Sequence, residues 1–398
     1  MKKLFSMAAI FIMALTLAAC TNDEEISNEL SFIFTSEYEV TTTENVSFED
    51  EYEGSFKDLL ILNFDFDYTD TDYGAVVNSI ENLNPKTGAY VAVLKNGTMS
   101  DVGIDLIEFE DGDSFEFQVI WWNQLQKDVD DLIQLFIENH ASDYVNSEFI
   151  DYNVILGLNL LGIENDFVSK SEVEELVESS VLTSVADYFK AIMMLNSVEA
   201  DSSELLRELN LIVTPGPYGQ TAYGLLAMDS VSHTEDYSAF VTAAMSDLET
   251  TTPYDLGLDA GGISLVALSN YSGVDTLAAD YVTWINNSQI NSGGILTRDV
   301  VWGETTYPGT ENAASISQVI LGLLAYGIEP SGNLFTKVEG NLVSRLVEFG
   351  TDTGSFDYVL TDGLTEDLFF STPQAFLALV AYQEYSNTYS AVNPFDFN

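Results

Sequence analysis

Cysteine and histidine are nearly absent from this sequence. Cys20 is the only cysteine among 398 residues, and His140 and His233 are the only histidines. One thiol cannot form a disulfide within the chain, and so few Cys and His side chains cannot build the usual zinc sites. Disulfides and zinc-dependent chemistry with Asp, Cys and His ligands are therefore excluded.

Positive charge is scarce as well. Lys and Arg number 12 against 64 Asp and Glu, which gives a formal net charge of -52. A surface of this sign repels nucleic acid and anionic lipid, and it disfavours phosphate-rich substrates unless a metal intervenes. We interpret the charge as a solubility feature of a protein that works outside the cell, and we expect no nucleic-acid partner.

The N-terminal residues have the pattern of a bacterial lipoprotein signal. Two lysines precede the apolar run of residues 4–15, and the sequence "LAAC" ends at Cys20. This predicts a signal peptide over residues 1–19, a lipidated Cys20 and a solvated tether over residues 20–31. Ordinary cleavage at small residues and an uncleaved anchor are the alternatives. We expect an extracytoplasmic protein that touches the bacterial membrane only through its lipid, because no second apolar stretch could span a bilayer.

Residues 32–122 alternate between apolar and polar side chains, as β-strands do. The segments "SFIFTSEYEV", "AYVAVLKNG" and "SFEFQVIWW" are strand-like, and turns are predicted at the Asn-Gly pair 96–97 and the Asp-Gly pair 111–112. The string of residues 56–83 leaves room for one short helix. The pattern predicts a small, mostly antiparallel β domain.

From residue 123 to residue 398 the pattern becomes helical and repeats. Six apolar segments rich in Leu and small residues alternate with six amphipathic ones. This alternation predicts helical hairpins that close into a ring, with the apolar helices inside and the amphipathic helices outside. The apolar segments are residues 151–164, 186–201, 221–231, 262–275, 316–330 and 372–385. The amphipathic segments are residues 124–140, 170–180, 202–210, 235–248, 275–289 and 338–349.

Segments in both halves match one known combination of domains. "LDAGGISLVAL" (258–268) is an Asp-led apolar helix, "STPQAFLALVAY" (371–382) is the last one, and residues 88–122 place a strand, an Asn-Gly turn and an acidic-Gly-Asp turn in order. These segments resemble the transcobalamin and intrinsic-factor family, and the Gly-rich turns 292–299 and 352–359 resemble the wider prenyltransferase and squalene-cyclase superfamily. The resemblance implies an α+β chain, a β-grasp-like domain followed by an α/α toroid of six helical hairpins. The domain order differs, because the family has its β domain last.

The resemblance implies a corrinoid ligand, such as cobalamin, held between the toroid and the β domain. Gln318 and Gln374 lie early in two inner helices and Asp259 leads a third, so we predict that they face the mouth of the toroid. Trp121 and Trp122 follow the β domain and are predicted to cover the ligand. An amide suits the amide-bearing rim of a corrinoid, since it both donates and accepts hydrogen bonds. The corrinoid would be cargo passed to a membrane importer, and no cofactor is required.

Each of these residues also has a structural interpretation. Asp259 could cap its helix, the two glutamines could be satisfied core residues, and the paired tryptophans could pack at the domain boundary. His233 could ligate a corrinoid cobalt, but its polar loop "SVSHTEDY" predicts a solvated side chain.

Enzyme functions fit the sequence less well than binding does. "DVDD", residues 128–131, matches the acid motif of class II terpene cyclases, but Asp130 lies about 120° from the apolar stripe of its helix and is predicted to be solvated. A carbohydrate-active enzyme on a toroid is one alternative, because so acidic a chain offers many carboxylate pairs. A surface adhesion or partner-binding module without a small ligand is another. The acidic stretch 63–73 could bind calcium, although it lacks the spacing of a known loop.

The lipid anchor gives the first testable prediction. Replacing Cys20 by Ala should abolish fatty-acid labelling and lipoprotein processing, because the thiol is the only possible acceptor of the lipid. The measurement is metabolic labelling of cells followed by N-terminal analysis of the processed chain. A Cys20→Ala chain that is still labelled, or still cut at the same bond, would show that the segment is not a lipoprotein signal.

Overall fold

The computed structural model describes most of the chain after the predicted tether. It covers residues 28–36, 41–49, 52–163, 168–212, 220–232, 236–251, 257–302, 305–360 and 366–398. Cys20, His233 and the predicted signal peptide lie outside the described residues. The chain divides into two compact units: the first runs to Pro85 and resumes over Ala89–Ile120, and the second comprises Lys86–Gly88 and Trp121–Asn398.

The first unit is built on a five-stranded sheet in the order β2-β1-β7-β5-β6. β1 pairs with β2 in antiparallel register and with β7 in parallel register. Three of the strand pairings given for this unit are antiparallel, as the sequence predicted, and the parallel pair is an addition that alternation within single strands cannot show. The strands are β1 (Asn28–Thr35), β2 (Thr41–Phe48), β5 (Ala89–Lys95), β6 (Thr98–Met99) and β7 (Ser114–Trp121).

One helix and one hairpin complete the first unit. Helix α1 (Phe56–Asn63) begins at a capping box between Ser55 and Asp58, and the hairpin joins β3 (Phe66–Thr71) to β4 (Gly74–Ile80). The short helix anticipated within residues 56–83 is therefore present. The core is rich in phenylalanine, because every second residue of β1 and β7 points inward. Its fully buried rings are Phe32, Phe34, Phe56, Phe115 and Phe117.

The second unit is helical, and each of the twelve segments predicted as helical overlaps a helix, although several bounds differ by a few residues. Among the described residues it also has a one-turn helix, α3 (Ala141–Tyr144), and a short hairpin of β8 (Val300–Trp302) and β9 (Thr305–Tyr307). The predominantly buried helices are α4 (Tyr152–Leu160), α6 (Val185–Ser197), α8 (Gln220–Asp229), α10 (Leu258–Leu268), α12 (Ala313–Ala325) and α14 (Ser371–Thr388). The amphipathic helices are α2 (Gln124–Asn139), α5 (Lys170–Ser179), α7 (Ser203–Leu209), α9 (Ser238–Thr250), α11 (Asp275–Ser288) and α13 (Leu342–Glu348).

The six buried helices contact one another in a cycle. Each packs on the next in chain order, and the last, α14, packs back on the first, α4. Each amphipathic helix in turn packs on a buried one, as α11 does on α10 and α13 on α12. Helix α12 is buried at all thirteen of its positions because it has α10 on one side, α14 on the other and α13 against it.

Two glycines let α10 and α12 approach closely. A Cβ at Gly262 would collide with the backbone of Gln318, and one at Gly322 would lie 2.6 Å from the carbonyl oxygen of Gly262. Only glycine leaves room for backbone-to-backbone contact at such points. The small residues of the apolar segments therefore have a packing role in this part of the cycle.

Asp130 corrects the prediction that it is solvated. Its side chain is 1% exposed, pairs with Lys86 and accepts a hydrogen bond from the amide of Gln383 at 2.8 Å. Periodicity marks only the apolar stripe of α2, whereas this carboxylate is covered by polar partners from α14 and from the segment Lys86–Gly88. A buried acid with both a cation and an amide as partners is a structural group.

Within the described residues, no helix combines the length and the apolar character that crossing a membrane requires.

Two neighbouring glycines provide a matched test of the close packing. Gly262→Ala should lower the free energy of unfolding by about 1–3 kcal/mol, because the added methyl meets backbone that cannot move aside. Gly261→Ala places its methyl 2.6 Å from the outer edge of the half-exposed Trp284 ring, which can shift, and gains helix propensity. Chemical denaturation of both variants is the measurement. Equal losses of stability would contradict the assigned helix contact.

Candidate functional site

Three of the predicted ligand residues lie near the N-terminal ends of neighbouring buried helices. Asp259 is in the first turn of α10, Gln318 in the second turn of α12, and Gln374 in the first turn of α14. The contact of Gly262 with Gln318 shows that α10 and α12 start at the same level. We call Tyr223, Asp259, Ser315, Gln318 and Gln374 the helix-start site.

The two glutamines are joined by a hydrogen bond. Nε2 of Gln318 donates to Oε1 of Gln374 at 2.9 Å. Gln318 is 4% exposed and its Oε1 has no hydrogen-bond partner in the described protein, whereas Gln374 is half-buried. Gln318 is therefore largely closed to water, because α10 and α14 pack on both sides of its helix. A buried amide oxygen without a donor is unusual and marks a place where a ligand donor could bind.

Asp259 is exposed and yet surrounded by protein. Burial raises the pKa of its carboxyl, and the hydroxyl of Ser315 beside it acts in the opposite direction. A side chain that water can touch but that is largely desolvated belongs to a concave surface. Helix α10 begins after Gly257, whose φ is +84°, so Asp259 is not the N-cap residue of its helix.

Aromatic residues line the same end of the cycle. Tyr152 of α4 contacts Phe189 of α6 with ring centroids 5.3 Å apart, and Phe189 contacts Tyr223 of α8 at 4.8 Å. Burial, followed by the charge of Asp259, raises the pKa of Tyr223 to about 12, so its hydroxyl stays protonated near that carboxylate. The sequence analysis missed Tyr152 and Tyr223. Each lies in the first turn of an apolar segment, so an alignment of the N-terminal ends of the six apolar segments could have found them.

A second unpaired acceptor lies at the start of α4. Asn153 is 3% exposed, and its Nδ2 donates to Asp151 at 3.0 Å while its Oδ1 has no partner in the described protein. Burial raises the pKa of the Asp151 carboxyl, and its bonds to Asn153 partly offset this. Acceptors without donors therefore occur at two of the helix starts.

The two tryptophans lie elsewhere in the helical unit. Trp122 is 69% exposed and lines a cavity of about 260 Å³ with Tyr382, Tyr385 and Tyr389, in and just after the last turns of α14. Gln374 is eleven residues before Tyr385 on that helix, a rise of about 16 Å. The five predicted ligand residues are therefore divided between the two ends of α14. Trp121 is half-buried and directly precedes Trp122.

The first unit has a groove of its own. It has a volume of about 700 Å³ and runs along β4 and β5. Several large apolar side chains on its walls are exposed, which is uncommon in such a cluster. These side chains are Tyr73, Val76, Tyr90, Met99 and Val102.

The acidic stretch 63–73 does not gather its carboxylates. It forms β3, in which Asp67 accepts a hydrogen bond from Asn78 and Asp70 pairs with Lys57. Across the part of the chain that the structure describes, no three His, Cys, Asp or Glu side chains are grouped as metal ligands. His140 is half-buried, with Nε2 3.3 Å from the hydroxyl of Thr353.

Comparisons with known proteins assign no family. No family model and no curated protein matches the chain. Among solved structures, a candidate metal binding protein from Ruminococcus gnavus ATCC 29149 is similar at 15% identity with a TM-score of 0.21, over 24% of this chain and 97% of that chain. A likeness at this level carries no argument about function.

The raised pKa of Asp259 predicts a pH dependence of stability. The folded protein favours the protonated form of Asp259. Protonation of this carboxyl therefore stabilises the fold fully below the ordinary pKa of 3.8, and the stabilisation is lost as pH rises through the pKa of the folded protein. Asp259→Asn should therefore melt at a higher temperature than the wild type at pH 7, and the difference should vanish below about pH 4. Asp280→Asn, at an exposed position on α11, is the control for net charge. Thermal scans in which both variants behave alike would refute the burial of Asp259.

Proposed function

We propose that this chain is a lipid-anchored bacterial surface protein that binds a small ligand without changing it. The ligand we propose is a corrinoid, which the protein passes to a membrane importer. We further propose that the first unit is a transcobalamin-like β-grasp domain and that the helical unit is an α/α toroid of six hairpins. The parallel pairing of β1 with β7 and the cyclic packing of the six buried helices support this architecture.

The observation that carries the ligand proposal is the unpaired oxygen of Gln318. A buried acceptor without a donor costs stability, so a ligand amide that donates to it would recover that loss. Gln374 beside it has amide donors and a partly accessible position, and Tyr223 offers an aromatic surface. Amides on the rim of a corrinoid provide both donors and acceptors for such a site.

Charge further restricts the ligand. The chain carries a net charge of -52, and Asp259 adds a carboxylate to the helix-start site. Anionic ligands are therefore disfavoured, while neutral ligands rich in N–H and O–H donors are favoured. A corrinoid with its amide rim meets this requirement.

Binding fits the helix-start site better than catalysis does. Glycoside hydrolysis usually needs two carboxylates that face each other across the scissile bond. Among the described residues at these helix starts, Asp259 accompanies two further acids that bond to their own helix: Asp151 accepts from Asn153 at the start of α4, and Asp367 accepts from Ser371 at the start of α14. We therefore propose that the residues of this site hold a ligand in place.

A second candidate function is partner binding through the first unit. The groove along β4 and β5 exposes several apolar side chains, including Tyr90, Met99 and Val102. Clustered exposed apolar residues are typical of protein interaction sites. This candidate corresponds to a surface adhesion module without a small ligand.

Cobalamin binding tests the proposal directly. The full chain mixed with cobalamin and then desalted should keep the visible absorption of the corrinoid. Gln318→Ala and Gln374→Ala should each weaken binding up to about tenfold, the loss of one neutral hydrogen bond. The control is Gln289→Ala, because the Oε1 of Gln289 is also without a partner in the described protein, whereas its Nε2 donates to the carbonyls of Gly293 and Phe335 and serves the fold. That variant should lose stability and keep its affinity.

Two outcomes would contradict the proposal. A flat visible spectrum after desalting would reject the corrinoid and favour the partner-binding candidate. A large drop in melting temperature with unchanged affinity in Gln318→Ala would make Gln318 a core residue like Gln289.

A further inference from the structure

The cavity at the far end of α14 has the composition of a cation site. Its volume is about 260 Å³, below the range of about 300–1,000 Å³ usual for ligand pockets, so only a small molecule fits. Its walls include four aromatic residues and one acid. These are Trp122, Tyr382, Tyr385, Tyr389 and Glu329.

Two of the aromatic walls present their surfaces to solvent. Trp122 is 69% exposed and Tyr389 is 74% exposed. The ring of Tyr389 is 6.4 Å from the ring of Tyr385, at an interplanar angle of 67°. Rings inclined in this way can surround a cation, which is attracted to the negative face of each ring.

The acid faces the phenols and has no counter-ion among the described residues. Oε1 of Glu329 accepts a hydrogen bond from Ser331 at 3.0 Å, and the same Ser331 hydroxyl lies 2.9 Å from the hydroxyl of Tyr382. Burial, followed by the charge of Glu329, raises the pKa of Tyr385. Among the described residues no Lys or Arg forms a salt bridge with Glu329.

Helix ends add to the negative potential. Helix α12 ends at Ala325, four residues before Glu329, and α14 ends at Thr388, directly before Tyr389. The C-terminal end of a helix carries a partial negative charge that favours cations. The two helix ends, the carboxylate of Glu329 and the aromatic faces therefore all contribute a negative potential, which attracts a cation.

Tyr389 adopts a backbone conformation that is costly for tyrosine. Its φ is +51° and its ψ is +29°, in the left-handed region just after the end of α14. Glycine is the usual residue at this position because it has no side chain to clash. A bulky residue held there is a feature of functional sites, where the side chain offsets the strain.

We propose that this cavity binds a small organic cation of the ammonium class. Trp122, Tyr385 and Tyr389 surround the cationic group, and Glu329 supplies the opposing charge. The site is separate from the helix-start site, so it does not depend on the corrinoid proposal.

Titration of the full chain with choline chloride and with tetramethylammonium chloride tests the site, with tryptophan fluorescence and calorimetry as readouts. Binding should weaken at high salt, because one charge pair contributes to it. The neutral carbon isostere of choline, in which a tert-butyl group replaces the trimethylammonium group, should bind about tenfold more weakly or worse. Glu329→Gln should lower the affinity for choline about tenfold and leave that for the isostere unchanged.

Tyr389→Gly distinguishes an effect on choline binding from an effect on the stability of the fold. It should abolish choline binding, while the melting temperature stays the same or rises, since glycine adopts the left-handed conformation without strain. Glu199→Gly is the control, because the exposed Glu199 has a φ of +54° and lies outside the cavity. It should leave choline binding unchanged.

Three results would overturn the proposal. The first is the absence of binding of both cations, and the second is equal affinity for choline and its neutral isostere. The third is unchanged choline affinity in both Glu329→Gln and Tyr389→Gly. Equal affinity would identify an apolar or sugar-binding pocket instead.

Discussion

The packing of six apolar helices against one another is the constraint on which the helical unit depends. Each of these helices has buried neighbours on both sides, and all of them except α4 also pack on an amphipathic helix of the described residues. Polar side chains of these helices then either bond to their own helix, as Ser264 in the middle of α10 does to the carbonyl of Ala260, or lie near the helix ends. This explains why Asp259 and Gln318 occur at one end and Glu329 and Tyr389 beyond the other. Both candidate sites follow from the same arrangement of buried flanks and polar ends.

Three cations of the described residues pair with acids that burial would otherwise leave without a counter-charge. Lys86 covers the buried Asp130, and Lys95 covers Asp113, which is 5% exposed. Arg345 makes two hydrogen bonds to the carboxylate of Glu311, at 2.8 and 2.6 Å. A charge-assisted pair of this kind stabilises a buried acid that would be costly alone. Few cations remain to neutralise acids in concave places, which favours ligands that are neutral or positive.

The pattern of apolar residues predicted much of the helical unit, because a helix that is buried on all faces has no polar stripe in its sequence. Helix α12 and its early glutamine could be placed in this way, and the pairing of Gln318 with Gln374 follows from their similar positions in two repeats. The burial of Asp130 could not be predicted, since its partner Lys86 is distant in sequence and polar contacts do not recur at a fixed spacing along the chain. The separation of Trp122 from Gln374 depends on tertiary packing, which the order of residues along the chain does not reveal.

The closure of the helix cycle has a consequence for how the chain folds. Gln126, at the start of α2, donates hydrogen bonds to Tyr382 and Ser386, which are 256 and 260 residues further along. Contacts over such separations raise the contact order. The chain loses the entropy of closing so long a loop before the contact can stabilise the fold. During synthesis, which starts at the N terminus, the surfaces of α4 and α12 that pack on α14 therefore stay uncovered until α14 has been made. We therefore expect chains that lack α14 to aggregate, since only the last helix completes the cycle of contacts.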